Sequence, residues 1–430
     1  MFINLFLFFA SARLFAQDPY RLSINKAAEL ALLNHPQLLV SRSTVAINEQ
    51  QVRIAALQRI PTVTFSATGS YMANPFTLEK NFGNKTNIDI PNFGNTFGLQ
   101  AGQLLYKGGL IKKTIEATDL RTQLSELDLE RDIQNIKFLV ISNYLDIVRI
   151  DNQLIVLNNN KRLAEERLKN VQKFYEQDMI TRNEVIRGEL AIQSLTQALL
   201  TANNNRSIIN YQLNIALGLP EGTVIYPTDK VLPENNTQPL GYYYDASVKQ
   251  NPVILAGKKN IDLASKSIEI IKTERYPAIS AVGGYSMQRP LMNSFPVRDI
   301  YFNVWQAGLS LSFNIDNLYK NNVRVKSGAL IKEQASQVLL LTEQNIRTAI
   351  NSAYVKYNEA IAQEEIAKES KRLADENYRI TEAKYLNQLA VQAEMIDAQN
   401  QKIQADIDYE NAIINISFQY YNLIKATGTL

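Results

Sequence analysis

Chemistry at a protein site usually begins with a thiolate, an imidazole or a nucleophile set beside a base, and this chain offers almost none of these. Its 430 residues include no cysteine and a single histidine, His35. Disulfides, thiolate metal sites, cysteine nucleophiles and a lipid anchor on an N-terminal cysteine are thereby excluded. So are His-rich metal sites and most Ser-His triads. His35 lies in the helix-ending run Asn34-His35-Pro36, where a structural role is expected. No convergent nucleophile–base or metal set exists, so no catalytic, cofactor or metal residue is assigned and an enzyme is the weakest expectation. A formal net charge of +3 gives no electrostatic case for a nucleic-acid partner.

The elements around these residues occur twice. Asn34-His35-Pro36 matches Gln250-Asn251-Pro252, and Arg59-Ile60-Pro61 matches Arg275-Tyr276-Pro277, both at an offset of 216. Downstream the offset is 210, as in Gly98-Leu99 with Gly308-Leu309, Tyr175 with Tyr385 and Glu184 with Glu394. The first repeat covers residues 17–217 and the second 246–430, each with a helix, two strands, a long helix and a returning helix. Between them, residues 218–245 carry Pro220, Pro227, Pro233 and Pro239 and are expected to be a linker with little regular structure. Its Tyr242-Tyr243-Tyr244 run is expected to pack on helices.

Two strands are expected per repeat, at about 62–72 and 95–105 and at about 278–286 and 304–313. In the first, Val63, Phe65, Ala67 and Tyr71 alternate with Thr62, Thr64, Ser66, Thr68 and Ser70. In the last, Trp305, Ala307, Leu309, Leu311 and Phe313 alternate with Gln306, Gly308, Ser310 and Ser312. A half-buried soluble sheet has the same period of two. Here the polar faces are Ser, Thr, Gly and Gln, and the apolar faces carry Tyr71, Phe97, Tyr285 and Trp305, expected as aromatics at membrane interfaces. Long polar loops, 74–95 and 287–303, suit the outer mouth of a barrel. Four strands leave two open edges, which cannot face lipid. Two chains would close eight strands and three would close twelve, and both counts occur in bacterial barrels.

Long helices are expected at about 109–176 and 319–386, with returns at about 182–217 and 392–427. Ile136, Ile150, Leu157, Ala164 and Val171 keep a seven-residue period, and Leu339, Ile346, Ala353, Ala360, Ala367 and Ala374 keep it at offset 210. Such a period implies supercoiled packing. A helix of this size extends roughly 100 Å, several times a bilayer core. On heptads alone a soluble periplasmic coiled-coil scaffold or adaptor is the alternative reading. Residues 1–16 read as a signal peptide, with an apolar run from Phe2 to Ala10 and cleavage after Ala16, so export is expected without a lipid anchor.

These residues resemble the TolC-like outer membrane efflux protein family over about residues 20 to 428. Leu22-Ser23-Ile24-Asn25-Lys26-Ala27 is similar to its opening helix, and Leu105-Tyr106-Lys107-Gly108-Gly109 to its strand-to-helix junction. The resemblance implies an α+β membrane protein: a homotrimer forming a twelve-stranded transmembrane β-barrel, four strands per chain, continued by a long periplasmic α-helical barrel. It implies an outer-membrane exit duct that works with a periplasmic adaptor (membrane fusion) protein and an inner-membrane pump of RND, ABC or MFS type. The pore would be closed at rest at tips matching 175–185 and 385–395 and opened by an iris-like untwisting. Adaptor-contacting turns would be Asp178, Met179, Ile180, Gln388, Leu389 and Ala390, with Asp178 and Gln388 standing where the family usually has glycine. Glu394 and Asp397, at i and i+3 on one helical face, would form acidic aperture rings in a trimer. Tyr385 and Glu184 would link neighbouring helices and hold the tip shut, with Arg182 or Arg187 as partner.

Overall fold

The computed structural model describes residues 20–229, 238–387 and 389–430. The expected signal peptide at 1–16, Pro233 of the linker and Gln388 of the second tip lie outside the described residues.

In chain order the elements are β1 (Tyr20–Leu22), α1 (Ile24–Asn34), α2 (Pro36–Ala56), β2 (Thr62–Tyr71), β3 (Phe76–Thr77), β4 (Thr86–Asn87), β5 (Phe93–Tyr106), α3 (Leu110–Glu176) and α4 (Arg182–Leu217). After these come β6 (Ile225–Pro227), α5 (Leu240–Gln250), α6 (Pro252–Thr273), β7 (Ala278–Arg289), β8 (Phe302–Ser312), α7 (Asn317–Leu386) and α8 (Gln392–Thr427). The chain forms two compact units. One holds residues up to Arg42, Asp128–Leu255 and Leu341–Leu430; the other holds Ser43–Leu127 and Ala256–Leu340. Each unit takes a part of both sequence repeats.

The second unit contains the sheet, ordered β2-β5-β7-β8 with every pairing antiparallel. Its register puts Phe65, Leu99, Tyr285 and Trp305 in one row across the four strands, and Ser66, Gly98, Ser286 and Val304 in the next. Period two therefore sorts side chains into one mainly apolar face and one mainly of Ser, Thr, Gly and Gln, with Val282 and Val304 among them. The polar face is concave: Thr62, Ser66, Gln100, Ser286 and Gln306 bound a cavity of about 780 Å³ on it. On the other face Phe65, Trp305 and Leu309 remain 69%, 76% and 74% exposed. The edge strands β2 and β8 are exposed along their whole length.

Two expectations need correcting here. Residues 74–95 are not all loop, because β3 pairs with β4 and β5 already starts at Phe93. β7 likewise runs on to Arg289, shortening the second loop. A bulge between Leu104 and Tyr106 ends the regular β5 pairing, and the chain then turns at Gly108 and Gly109, with φ of 57° and 76°. A Cβ on Gly108 would stand 2.5 Å from the Tyr276 ring, so both its conformation and its space demand glycine.

The first unit is helical. The seam residues Ile136, Ile150, Leu157, Ala164 and Val171 are all buried, as are Ala353, Ala360 and Ala367. The expected opening helix is two helices in each repeat, α1/α2 and α5/α6, broken before Pro36 and Pro252 because proline has no N–H to give and disfavours a helical residue ahead of it. His35 Nδ1 accepts from the Gln37 amide at 3.2 Å, and Asn251 Oδ1 accepts from the Val253 amide at 3.0 Å. The one histidine and its repeat partner thus start the next helix in the same way. Burial pushes His35 below its ordinary value, consistent with an acceptor nitrogen.

The linker expectation also changes. Within 218–245, β6 pairs in parallel with β1 and α5 begins at Leu240. The fully buried Tyr144 hydroxyl donates to Leu22 O at 3.0 Å and accepts from the Thr228 and Asp229 amides, tying this segment to the start of the described chain. Tyr243 is buried in a cluster with Ile350, Tyr357 and Leu423, so the tyrosine run does pack on helices.

Candidate gate at the helical tips

Both long helices turn back within a few residues, and both turns lie in the helical unit. At the first, the Met179 amide reaches back to Phe174 O at 2.9 Å and the Asp178 amide to Tyr175 O at 3.0 Å, a left-handed helix ending with Asp178 at φ 55°. Asp is among the few non-glycine residues that take this conformation readily. At the second, the Leu389 amide reaches Lys384 O at 2.8 Å, which is the same bond at offset 210. The returning helices then start at Thr181 and Val391, neither of which caps with its side chain.

The two turns share a cavity of about 320 Å³ lined by Phe174, Met179, Ile180, Thr181, Glu184, Tyr385, Ala390, Val391 and Gln392. It brings Tyr385 and Glu184 to one place. Burial pushes the Tyr385 phenol above its ordinary value; the charge of Arg167 opposes this and that of Glu184 adds to it. Met179 and Leu389 stand 50% and 76% exposed, apolar side chains presented to solvent at the turns.

The expected arginines lie elsewhere. Arg182 Nη2 pairs with Glu189 Oε1 along its own helix at 3.6 Å, and Arg187 is exposed. The arginine that joins the hairpins inside the chain is Arg167, which the sequence reading missed. Its guanidinium donates to Gln399 Oε1 at 2.6 Å and to the Tyr378 hydroxyl at 3.0 Å, and Tyr378 donates on to Glu382 Oε1 at 3.1 Å. Helices α3, α7 and α8 are tied by one charged hub. Its only sequence signal is position, three residues beyond the seam residue Ala164.

Glu394 and Asp397 are exposed on the first turns of α8. Asp397 Oδ2 accepts from Gln401 Nε2 at 2.8 Å, while Glu394 sits in the first turn, where the helix dipole favours a negative charge. On the sheet, Tyr71 ends β2 and meets Phe93 edge to face at 5.3 Å, an aromatic partner the sequence reading omitted. Phe97 is half-buried opposite Ala67 and Met287, while Tyr285 pairs across the strands with Trp305.

The chain matches the family described as outer membrane efflux protein over residues 27–219 and 243–429, one segment for each repeat. It is 21% identical over 407 residues to the outer membrane efflux protein BepC of Brucella suis biovar 1 (strain 1330), covering 93% of this chain and 84% of that one. Among solved structures it resembles CusC (TM-score 0.78, 16% identity, 94% of this chain and 91% of the other). It also resembles the outer membrane protein VceC of Vibrio cholerae (TM-score 0.77, 14% identity, 94% and 96%).

Proposed function

This chain belongs to the outer membrane efflux protein family, and from that premise we propose how it works as an outer-membrane exit duct. Three copies close their four-stranded sheets into one twelve-stranded barrel, β8 of one copy beside β2 of the next. The helical hairpins continue the passage on the periplasmic side. The observation that carries this reading is the open sheet. It has a concave polar face, an exposed apolar face and two edge strands, each unpaired on its outer side among the described residues. Apolar side chains exposed in this number suit lipid, and unpaired strand edges are tolerated there only when the ring is closed. The soluble scaffold alternative is not favoured, because the family match runs across the strands as well as the helices.

The duct does no chemistry of its own. A periplasmic adaptor and an inner-membrane pump of RND, ABC or MFS type supply the cargo and the work. The exposed Met179 and Leu389, with Asp178, Ile180, Gln388 and Ala390 beside them, offer the adaptor its contact. Tyr385 and Glu184 hold the resting tip, Arg187 and, on leaving Glu189, Arg182 reach a neighbouring copy, and Tyr71, Phe97, Tyr285 and Trp305 mark the lipid boundary. The export signal at 1–16 delivers a chain with no cysteine for a lipid anchor. Trimer symmetry turns Glu394 and Asp397 into two acidic rings at the aperture, which favour cations. Planar-bilayer recording of Glu394→Ala with Asp397→Ala tests this. Loss of cation preference and of block by multivalent cations is expected; unchanged conductance and block would remove the aperture role.

A further inference from the structure

The repeats differ where strand becomes helix. In the second repeat, Arg275 donates to Asn322 Oδ1 at 2.6 Å, Lys320 pairs with Asp316 at 2.7 Å and Arg324 pairs with Glu274. Every one of these cations has an acceptor. The first repeat places Arg59 where the second has Arg275, Lys107 where it has Asn317, and Lys112 where it has Asn322. The positions of an arginine–asparagine hydrogen bond in one repeat thus hold an arginine and a lysine in the other.

Arg59, Lys107 and Lys112 line one cavity of about 400 Å³, whose remaining walls are Gln103–Tyr106 and Gly109–Ile111. No carboxylate lines it. Glu116 approaches Lys112 only to 3.9 Å and is committed to Lys266 at 3.0 Å. The first turn of α3 has no acidic residue, so its dipole adds positive potential rather than offsetting it. Like charges gathered with so little counter-charge repel and favour an anion between them. Gln103, on the same wall, is held by its amide, which donates to Gln58 O at 3.0 Å and to Leu104 O at 2.9 Å. Beside the cavity Leu57, Ile60 and Leu105 are 58%, 59% and 57% exposed.

We propose that this cavity binds the phosphate ester of an anionic phospholipid, such as phosphatidylglycerol, at the inner-leaflet end of the strands. Arg59, Lys107 and Lys112 take the phosphodiester, and the acyl chains lie over Leu57, Ile60 and Leu105. The chemistry shared with free phosphate is the anion. Apolar side chains beside the cations are what single out a lipid. The inference rests on the strands crossing the outer membrane.

The test is native mass spectrometry of the full assembled protein released from nanodiscs of phosphatidylethanolamine and phosphatidylglycerol in equal amounts. Phosphatidylglycerol is expected to be enriched among the retained lipids. Arg59→Gln and Lys112→Asn, the latter restoring the residue of the second repeat, are each expected to lower that enrichment about five-fold, the effect of one basic residue at an anionic headgroup. Lys320→Gln, in the second repeat, is expected to leave it unchanged. The intact oligomer mass in the same spectra reports folding of each variant. Retained lipid at the bilayer ratio, or enrichment that survives both substitutions, would overturn the site. Displacement of the lipid by millimolar inorganic phosphate would overturn the lipid assignment in favour of a simple phosphate site. A chain that never enters the nanodisc would defeat the membrane reading itself, whereas insertion without enrichment defeats only this inference.

Discussion

The two helical hairpins carry nearly the same hexapeptide at the same place and use it differently. Lys161-Arg162-Leu163-Ala164-Glu165-Glu166 in α3 corresponds to Lys371-Arg372-Leu373-Ala374-Asp375-Glu376 in α7. In the first hairpin α4 has Ile192 and an exposed Thr196 at the matching positions, and the seam is hydrocarbon: Ile150, Leu157, Ala164, Leu195 and Leu199 form one buried cluster with Ile192 packed on it. Lys161 then turns outward to Glu165 at 3.8 Å. Opposite the second, α8 presents Lys402 and Asp406. Lys371 pairs with the buried Asp406 at 3.2 Å, Lys402 pairs with Asp406 at 3.3 Å and also with Asp375.

The partner helix, rather than the hexapeptide, decides whether the seam is apolar or ionic. The consequence is energetic. An apolar seam is held by burial that depends little on conditions, whereas an ionic one is close to balanced between desolvation and attraction and answers to pH and salt. One hairpin is built to stay and the other to respond.

The largest expected effect lies in the apolar hairpin. Leu157 is 3% exposed, and Leu157→Ala is expected to cost about 2–5 kcal/mol through lost burial and the cavity left behind. Denaturant midpoints of the assembled protein measure it. A cost no larger than that of an exposed substitution would break the contrast between the hairpins.

In the ionic hairpin, Asp406→Ala strands Lys371 and leaves Lys402 with Asp375 alone, and is expected to cost roughly 1–3 kcal/mol. Lys402→Ile with Asp406→Thr copies the first hairpin and is expected to recover most of that loss. If the double variant is as unstable as the single one, the seam is not interchangeable and the comparison fails.

The turn itself is expected to matter less. With Asp178 at φ 55°, Asp178→Val should cost roughly 1–2 kcal/mol, while Asp178→Gly should be neutral or mildly stabilising. Thermal melting of the two variants side by side separates the backbone effect from loss of the carboxylate.

Alkaline pH should sharpen the comparison further. Burial raises Tyr378 and Tyr385 of α7 above the ordinary tyrosine value. Burial alone would lower Lys402, but its hydrogen bond to Asp375 and the charges of Asp406 and Asp375 outweigh that and raise it. In each case the folded chain holds its proton longer than the unfolded chain. Their contribution is complete below about pH 10 and is lost as pH rises beyond it. The apolar hairpin has Tyr144 raised by burial in the same sense. Hydrogen exchange between pH 9 and 11, corrected for intrinsic rates, should show α7/α8 loosening before α3/α4.

Much of this architecture could be read from residue order. Alternation of Thr and Ser with Val, Phe and Tyr placed β2, and the seven-residue spacing of Ile136, Ile150 and Leu157 placed α3, because each period corresponds to one face of one element. Elements without a period were invisible. β6 is three residues long and ends at Pro227, and it exists because β1 gives it a partner from the far end of the chain. The bulge between Leu104 and Tyr106 depends on register against β7, which alternation does not encode.

Within the candidate site, the turn chemistry of Asp178 was legible because few residues accept its conformation. The Arg167 hub and the Lys402–Asp406 ladder were not. In a sequence that is 20% charged, nothing local marks which side chains face a partner helix. The rotation of α7 and α8 about their axes decides that, and packing sets the rotation.

The central claim is that this sheet becomes a wall only in company. Native mass spectrometry of the protein in lipid nanodiscs, with channel conductance recorded from the same preparation, tests it most directly. Three chains per conducting particle is the expected result. A folded single chain that stays soluble without lipid or detergent would contradict it.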